Sequence, residues 1–172
     1  MTRDGGQERV LVSACLLGSP VRYNGSARLS HHAVLERWQD EGRVIPLCPE
    51  VAVGFPTPRP AAELDGTVDG AAVLAGRARV IEKGGRDVSH LYREAAGIAL
   101  EEAVANGCRY ALLTDGSPSC GSSFVYDGSF SGRRVAGRGT TTALLQEHGI
   151  RVFSEAEIDR LDAILHGRPE EA

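Results

Sequence analysis

The chain has 172 residues, of which 42% are apolar, and a formal net charge of −4. This length suits one domain that buries a core without disulfides or a structural metal, and the composition excludes a disordered chain. The negative balance argues against stable nucleic-acid binding. No apolar run reaches the length of a membrane span and the start, Met1–Arg9, is polar, so neither a membrane segment nor a secretory signal is expected and the location should be cytoplasmic.

Taken in chain order, Val10–Ser13 reads as a first short strand. Ser30 can cap a helix reaching about Glu41, with Val34, Leu35 and Trp38 as its buried stripe and Gly42 as its stop. The pair His31–His32 at the helix start reads as surface. Val44–Leu47 is the second strand. Glu50–Ala61, with Pro56, Pro58 and Pro60, fits neither the helical nor the strand period and is expected to be an irregular loop. Arg79–Lys83 reads as an extra edge strand. Ser89–Asn106 carries Leu91, Ala95, Ile98 and Ala99 at helical spacing, and Gly107 is a natural stop.

Tyr110–Thr114 is the third main strand. Asp115–Gly139, rich in Gly and Ser and interspersed with Phe124, Tyr126 and Phe130, is expected to be a long loop, and loops of that length in compact domains are usually functional or disordered. Thr140–His148 is a helix closed by Gly149, and Arg151–Phe153 is the fourth strand. Ser154 with Glu157 makes a capping box for a last amphipathic helix through Ile158, Leu161, Ile164 and Leu165. Alternating strands and helices imply an α/β fold: a single domain over residues 9–166 with a mostly parallel, Rossmann-like sheet, flanking helices and a long active-site loop. Residues 1–8 and 167–172 are expected to be flexible ends.

There are 4 cysteines, none in a tight pair. In open α/β sheets ligands bind beyond the carboxyl ends of the strands. Cys15 follows the first strand, Cys48 follows the second, and Cys120 lies in the loop leaving the third. These three can converge on one sheet edge. Cys108 precedes the third strand, roughly 15–20 Å away at about 3.3 Å per strand residue, and reads as a buried structural thiol. Three thiolates would leave a position open on zinc or on one iron of a 4Fe–4S cluster, an arrangement suited to catalysis. The residues alone leave both metals open.

Other polar groups gather near that edge. Glu50 can act as a general base in a partly dry site or form a surface ion pair. Ser117 and Ser119 flank Pro118 and can donate to a substrate or to cluster sulfur, or serve as turn residues. Arg22 and Tyr23 follow Cys15, and Arg22 can hold a carboxylate or phosphate. Gly137, Gly139 and Thr140 open a helix whose N–H groups can hold an anion. No Walker Lys follows and no clear strand precedes, so neither nucleotide fingerprint is met.

Four motifs taken together resemble the thiouracil desulfidase family: VSACLLGSPVRYNG over Val12–Gly25, CPEVAVGFPTPRPAAE over Cys48–Glu63, GRDVS over Gly85–Ser89 and SPSCG over Ser117–Gly121. The resemblance spans about residues 9–155. It implies a 4Fe–4S cluster held by Cys15, Cys48 and Cys120 with one iron open, Glu50 as acid/base residue and Ser117 as its assistant. It also implies a non-redox desulfuration of a thionated uracil that releases sulfide. Asn24 stands where the family pattern has Asp. Some relatives carry a further C-terminal domain and act on thiouridine in tRNA; this chain stops soon after its last helix, so a free base, nucleoside or nucleotide is the expected substrate. The rival readings are a three-cysteine zinc hydrolase and a non-catalytic iron–sulfur sensor or nucleotide-binding protein.

Overall fold

A computed structural model describes residues 7–20, 22–24 and 32–168. In chain order the elements are β1 (Val10–Ser13), α1 (Ala33–Asp40), β2 (Val44–Leu47), α2 (Pro49–Ala52), β3 (Ala62–Asp65) and α3 (Gly70–Leu74). They continue with β4 (Arg79–Glu82), α4 (Ser89–Ala105), β5 (Tyr110–Leu113), β6 (Phe124–Tyr126), β7 (Arg134–Ala136), α5 (Thr140–Glu147), β8 (Arg151–Ser154) and α6 (Ile158–Leu165).

The central sheet has the order β2-β1-β5-β8 and is parallel throughout. Its inner strands, β1 and β5, are covered on both faces, which explains why they read as unbroken apolar runs. Val10, Val12, Leu112 and Phe153 point to the face covered by α1 and α6, around the fully buried Trp38. Leu11, Ala111 and Leu113 point to the other face, where α4 and α5 pack against each other. A third cluster, Leu64, Val73, Val80, Val88, Tyr92 and Val125, builds the lobe around β3 and β4.

The chain leaves β1 for β2 on one side and places β5 on the other. Connections therefore diverge at the carboxyl edge between β1 and β5, the kind of switch point where α/β sheets open a crevice.

Several expectations are corrected. The Arg79–Lys83 strand exists as β4, but it pairs antiparallel with β3 in a separate two-stranded sheet rather than edging the main one. Glu50–Ala61 is not wholly irregular, because Glu50, Val51 and Ala52 belong to α2. Asp115–Gly139 contains the antiparallel pair β6–β7, so a strand does precede Gly137. Ser30 lies outside the described residues; α1 is capped instead by His32, whose Nδ1 accepts from the Val34 N–H at 3.1 Å. Ahead of β1, Glu8 accepts a hydrogen bond on its carbonyl from Arg43 at 3.1 Å and pairs with Arg109. The Ser154–Glu157 capping box is present, with a 3-10 turn over Glu155–Glu157 before α6.

The α1–α6 contact hinges on Asp162. Its carboxylate accepts from the Trp38 indole N–H at 2.9 Å and from Arg37, and His166 lies at 3.3 Å. Burial pushes this carboxyl up, but the Arg37 and Trp38 hydrogen bonds outweigh it and hold it below its ordinary value. A depressed folded value contributes stability above the unfolded value of about 3.9, and that contribution is lost as pH falls through the folded value. Asp162→Ala is expected to cost about 1–3 kcal/mol at pH 7, because it strands the buried indole N–H. Urea unfolding checks this: the gap between wild type and variant should shrink from pH 7 to pH 3, and an equal gap at both would contradict it.

Candidate active site

The carboxyl edge of the sheet opens into a cavity of about 360 Å³. β1 ends at Ser13, and Cys15 sits in the 3-10 turn Ala14–Leu17, which Gly18 closes with φ 96°. β2 ends at Leu47, so Cys48 caps α2 and Glu50 falls in its first turn. β5 ends at Leu113, and the following turn carries Ser117 and Cys120. All three thiols line the cavity. Cys108 does not; it packs under the opposite end of β5 with Ala99 and Ala103, and burial pushes its thiol up to about 11.

The cavity thiols form one electrostatic unit. Burial raises each of them above the ordinary thiol value, and the neighbouring thiols add to the rise at Cys15 and Cys120. Glu50 raises Cys120 and Cys48 further, whereas Arg22 opposes the rise at Cys15 and Arg59 at Cys48. None of the four cysteines is in a disulfide. Soft thiolate sets of this kind select zinc or iron–sulfur groups. Among the described residues no three His, Cys, Asp or Glu side chains close around a single point as ligands of one ion would.

Glu50 lies in the cavity wall, only 9% exposed. Arg59 reaches Glu50 Oε2 with both Nε and Nη2 at 2.9 Å, and the Tyr92 hydroxyl donates to the same oxygen at 3.1 Å. Burial and the nearby carboxylate hold the Tyr92 phenol well above its ordinary value, which keeps it a donor. Ser117 Oγ donates to Glu50 Oε1 at 3.2 Å while accepting the N–H groups of Ser119 at 3.0 Å and Cys120 at 3.2 Å. One hydroxyl thus ties the carboxylate to the turn that carries Cys120.

Arg59 and Tyr92 were not among the sequence-derived site residues. Arg59 lies within the CPE…PRP motif, a signal that could have marked it. Its place is fixed by the proline-rich loop, since its N–H donates to the Tyr23 carbonyl at 2.6 Å and its Nη1 to the Pro56 carbonyl at 3.3 Å. Tyr92 sits on α4 and is indistinguishable in sequence from a core aromatic; its ring packs on Phe55 at 5.4 Å between centroids.

The other expected site residues divide. Arg22 and Tyr23 line the cavity. Ser119 is fully buried and bonds Thr141 Oγ1 at 2.7 Å, away from the cavity lining. Gly137, Gly139 and Thr140 are not brought to the cavity either. The N–H groups that open α5 are already used: Gly139 donates to the Gly121 carbonyl at 2.8 Å, Thr140 to Pro118 at 2.9 Å and Thr141 to Ser119 at 2.9 Å. A Cβ on Gly139 would lie 2.4 Å from the Ser119 carbonyl oxygen, so this glycine permits a close backbone approach.

The remaining organiser is Asp115. Its Oδ1 accepts the N–H groups of Gly116 at 3.1 Å, Ser122 at 3.0 Å, Ser123 at 3.2 Å and Phe124 at 3.2 Å. The carboxylate draws the two ends of the Ser117–Gly121 turn together.

Comparison with known proteins gives this cavity a context. An uncharacterized Bacillus subtilis (strain 168) protein, YbbK, is 43% identical over 150 residues, covering 87% of this chain and 97% of its own length. The solved structure of a 4Fe–4S-dependent thiouracil desulfidase, TudS, superposes with a TM-score of 0.84 at 45% identity, covering 92% of this chain and 98% of that one. The family model for 2-thiouracil desulfurase matches residues 10–157, from β1 into the capping box ahead of α6. The chain belongs to the 2-thiouracil desulfurase family, a family of enzymes.

Proposed function

We propose that the protein desulfurates a thionated uracil without net redox change, using a 4Fe–4S cluster held by Cys15, Cys48 and Cys120. The observation that carries this reading is the sharing of one cavity by three thiols and a buried carboxylate, with Ser117 bridging Glu50 to the Cys120 turn. The solved relative is 4Fe–4S-dependent, and the donor set here suits such a group. When bound, the cluster supplies an iron without a protein ligand, a Lewis acid for the substrate sulfur.

The chain's own residues account for the rest. Glu50 takes a proton from the water that attacks the thiocarbonyl carbon, with Ser117 Oγ as the relay to Glu50 Oε1. Arg59 and Tyr92 fix the carboxylate through its other oxygen, leaving Oε1 for proton transfer. The net change is C=S plus water to C=O plus hydrogen sulfide, and carbon and sulfur keep their oxidation states, so no electron donor is needed. A cavity of about 360 Å³ is at the low end for small-molecule sites, and a cluster fills part of it. The remainder suits one pyrimidine ring, with any ribose or phosphate at the mouth near Arg22 and Tyr23. No described helix is long and apolar enough to cross a membrane. A reducing cytoplasm would keep the thiols available.

After anaerobic reconstitution, sulfide release from 4-thiouracil or its monophosphate is expected from wild type and Cys108→Ala, and none from Cys15→Ala. No release from cluster-loaded wild type would refute the substrate class. Glu50→Gln should lower kcat by about 10²–10⁴-fold with iron content unchanged. Ser117→Ala should lower it by about 10-fold or more, the worth of one hydrogen bond to a charged group. Single-turnover rates check both, and a Glu50→Gln rate within a few-fold of wild type would remove Glu50 from the chemistry.

A further inference from the structure

We propose that Glu63 determines which heterocycle the cavity accepts, by receiving the N3–H of the substrate ring on its open carboxylate oxygen. This rests on the thiouracil reading above and names the group that enforces it. Glu63 is the last residue of the CPE…PAAE motif and lies on β3, in a different layer from the sheet edge that carries the cysteines. Its side chain lines the cavity, yet the residue is only 9% exposed.

One of its oxygens is committed. Oε1 accepts the Gly128 N–H at 2.9 Å and the Phe130 N–H at 3.2 Å, both from the tip of the β6–β7 hairpin. Among the described residues, nothing donates to Oε2 and no cation pairs with the carboxylate.

The tip that anchors Oε1 is itself tightly seated. Phe130 has φ 56°, uncommon for a side-chain-bearing residue. Gly128 has φ 91°, and a Cβ there would lie 2.5 Å from the Leu64 carbonyl oxygen. The hairpin backbone therefore rests directly on β3, and the acceptor is held in a fixed orientation before any ligand arrives.

The other cavity carboxylates are engaged. Glu50 is taken by Arg59, Tyr92 and Ser117, and Asp115 by the N–H groups of its own turn. Glu63 is thus the cavity-lining carboxylate with one oxygen, Oε2, that no described residue donates to.

A uracil-type ring presents an imide N3–H donor, whereas a cytosine-type ring presents an unprotonated N3 acceptor; N1–H is common to both free bases and cannot tell them apart. A buried acceptor rewards the first and repels the second. Sites that hydrogen-bond a substrate group can reject analogues lacking it by large factors.

Glu63→Gln separates this role from a structural one. The amide keeps an oxygen for the Gly128 and Phe130 N–H groups but turns the open position into a donor. Wild type is expected to prefer 2-thiouracil over 2-thiocytosine in kcat/KM by at least about 10-fold. In the variant that ratio should fall by at least about 10-fold through KM, with kcat within about 3-fold. Calorimetric titration with uracil and cytosine, which needs no turnover, should show the same loss of preference. An unchanged ratio in both measurements overturns the proposal.

Wild type alone gives a second test, independent of how the variant folds. N3-methyl 4-thiouracil should be at least about 10-fold poorer than the parent, whereas N1-methyl 4-thiouracil should be accepted, and full acceptance of the N3-methyl compound overturns it. If wild type releases no sulfide from any thiouracil, the desulfidase reading fails, while the uracil-against-cytosine titration still decides the role of Glu63.

Discussion

The site depends on how the Pro118–Gly121 turn is seated on the start of α5. All four carbonyls of that turn accept hydrogen bonds from α5 or its cap: Pro118 and Ser119 from the Thr140 and Thr141 N–H groups, Cys120 from Thr142 Oγ1 at 3.0 Å, and Gly121 from the Gly139 N–H. Thr140, Thr141 and Thr142 are fully buried. The donors a helix start leaves orphaned are thereby satisfied by the loop rather than by an anion. Asp115 gathers the N–H groups on the far side of the turn. A segment rich in Gly and Ser would be costly to order by packing alone, and these two sets of hydrogen bonds offset that cost.

What the seated turn delivers is a pair of groups at set positions, Ser117 Oγ and the Cys120 thiol, facing Cys15 and Cys48 across the crevice between β1 and β5. Two buried charges are then balanced locally. Glu50 would be expensive in the wall of an apolar cavity without Arg59, whose guanidinium side chain is only 5% exposed. The proline-rich loop holds that arginine through the Tyr23 and Pro56 carbonyls, and Tyr92 on α4 donates to the same Glu50 oxygen. Glu63, also in the cavity lining, is anchored instead by the β6–β7 hairpin, through backbone N–H groups on one oxygen.

The central sheet was legible because its strands appear as short apolar runs, buried throughout in β1 and partly covered in the edge strand β2; Val10–Ser13 and Val44–Leu47 have the bounds read from the sequence. Cys108 separated from the other thiols for a topological reason, since it precedes a strand and they follow strands. Of the second lobe only β4 was legible, and not its pairing. β3 reads Ala-Glu-Leu-Asp, a sequence of low strand propensity, and it forms through pairing with β4 and burial of Leu64. β6 and β7 have 3 residues each and give no periodicity to detect. The glycines before α5 looked like a phosphate cradle because sequence records available N–H donors but not which carbonyl arrives to use them. Tyr92 was hidden as a partner of Glu50 for the same reason, lying 42 residues away in the chain.

The central claim is that Cys15, Cys48 and Cys120, and not Cys108, hold one cluster beside Glu50. Iron and acid-labile sulfide per chain, measured after anaerobic reconstitution of four single Cys→Ser variants, test it most directly. The account predicts about four iron and four sulfide in wild type and Cys108→Ser, with marked loss in Cys15→Ser, Cys48→Ser and Cys120→Ser. Full cluster content in any of those three, or its loss in Cys108→Ser, would contradict it.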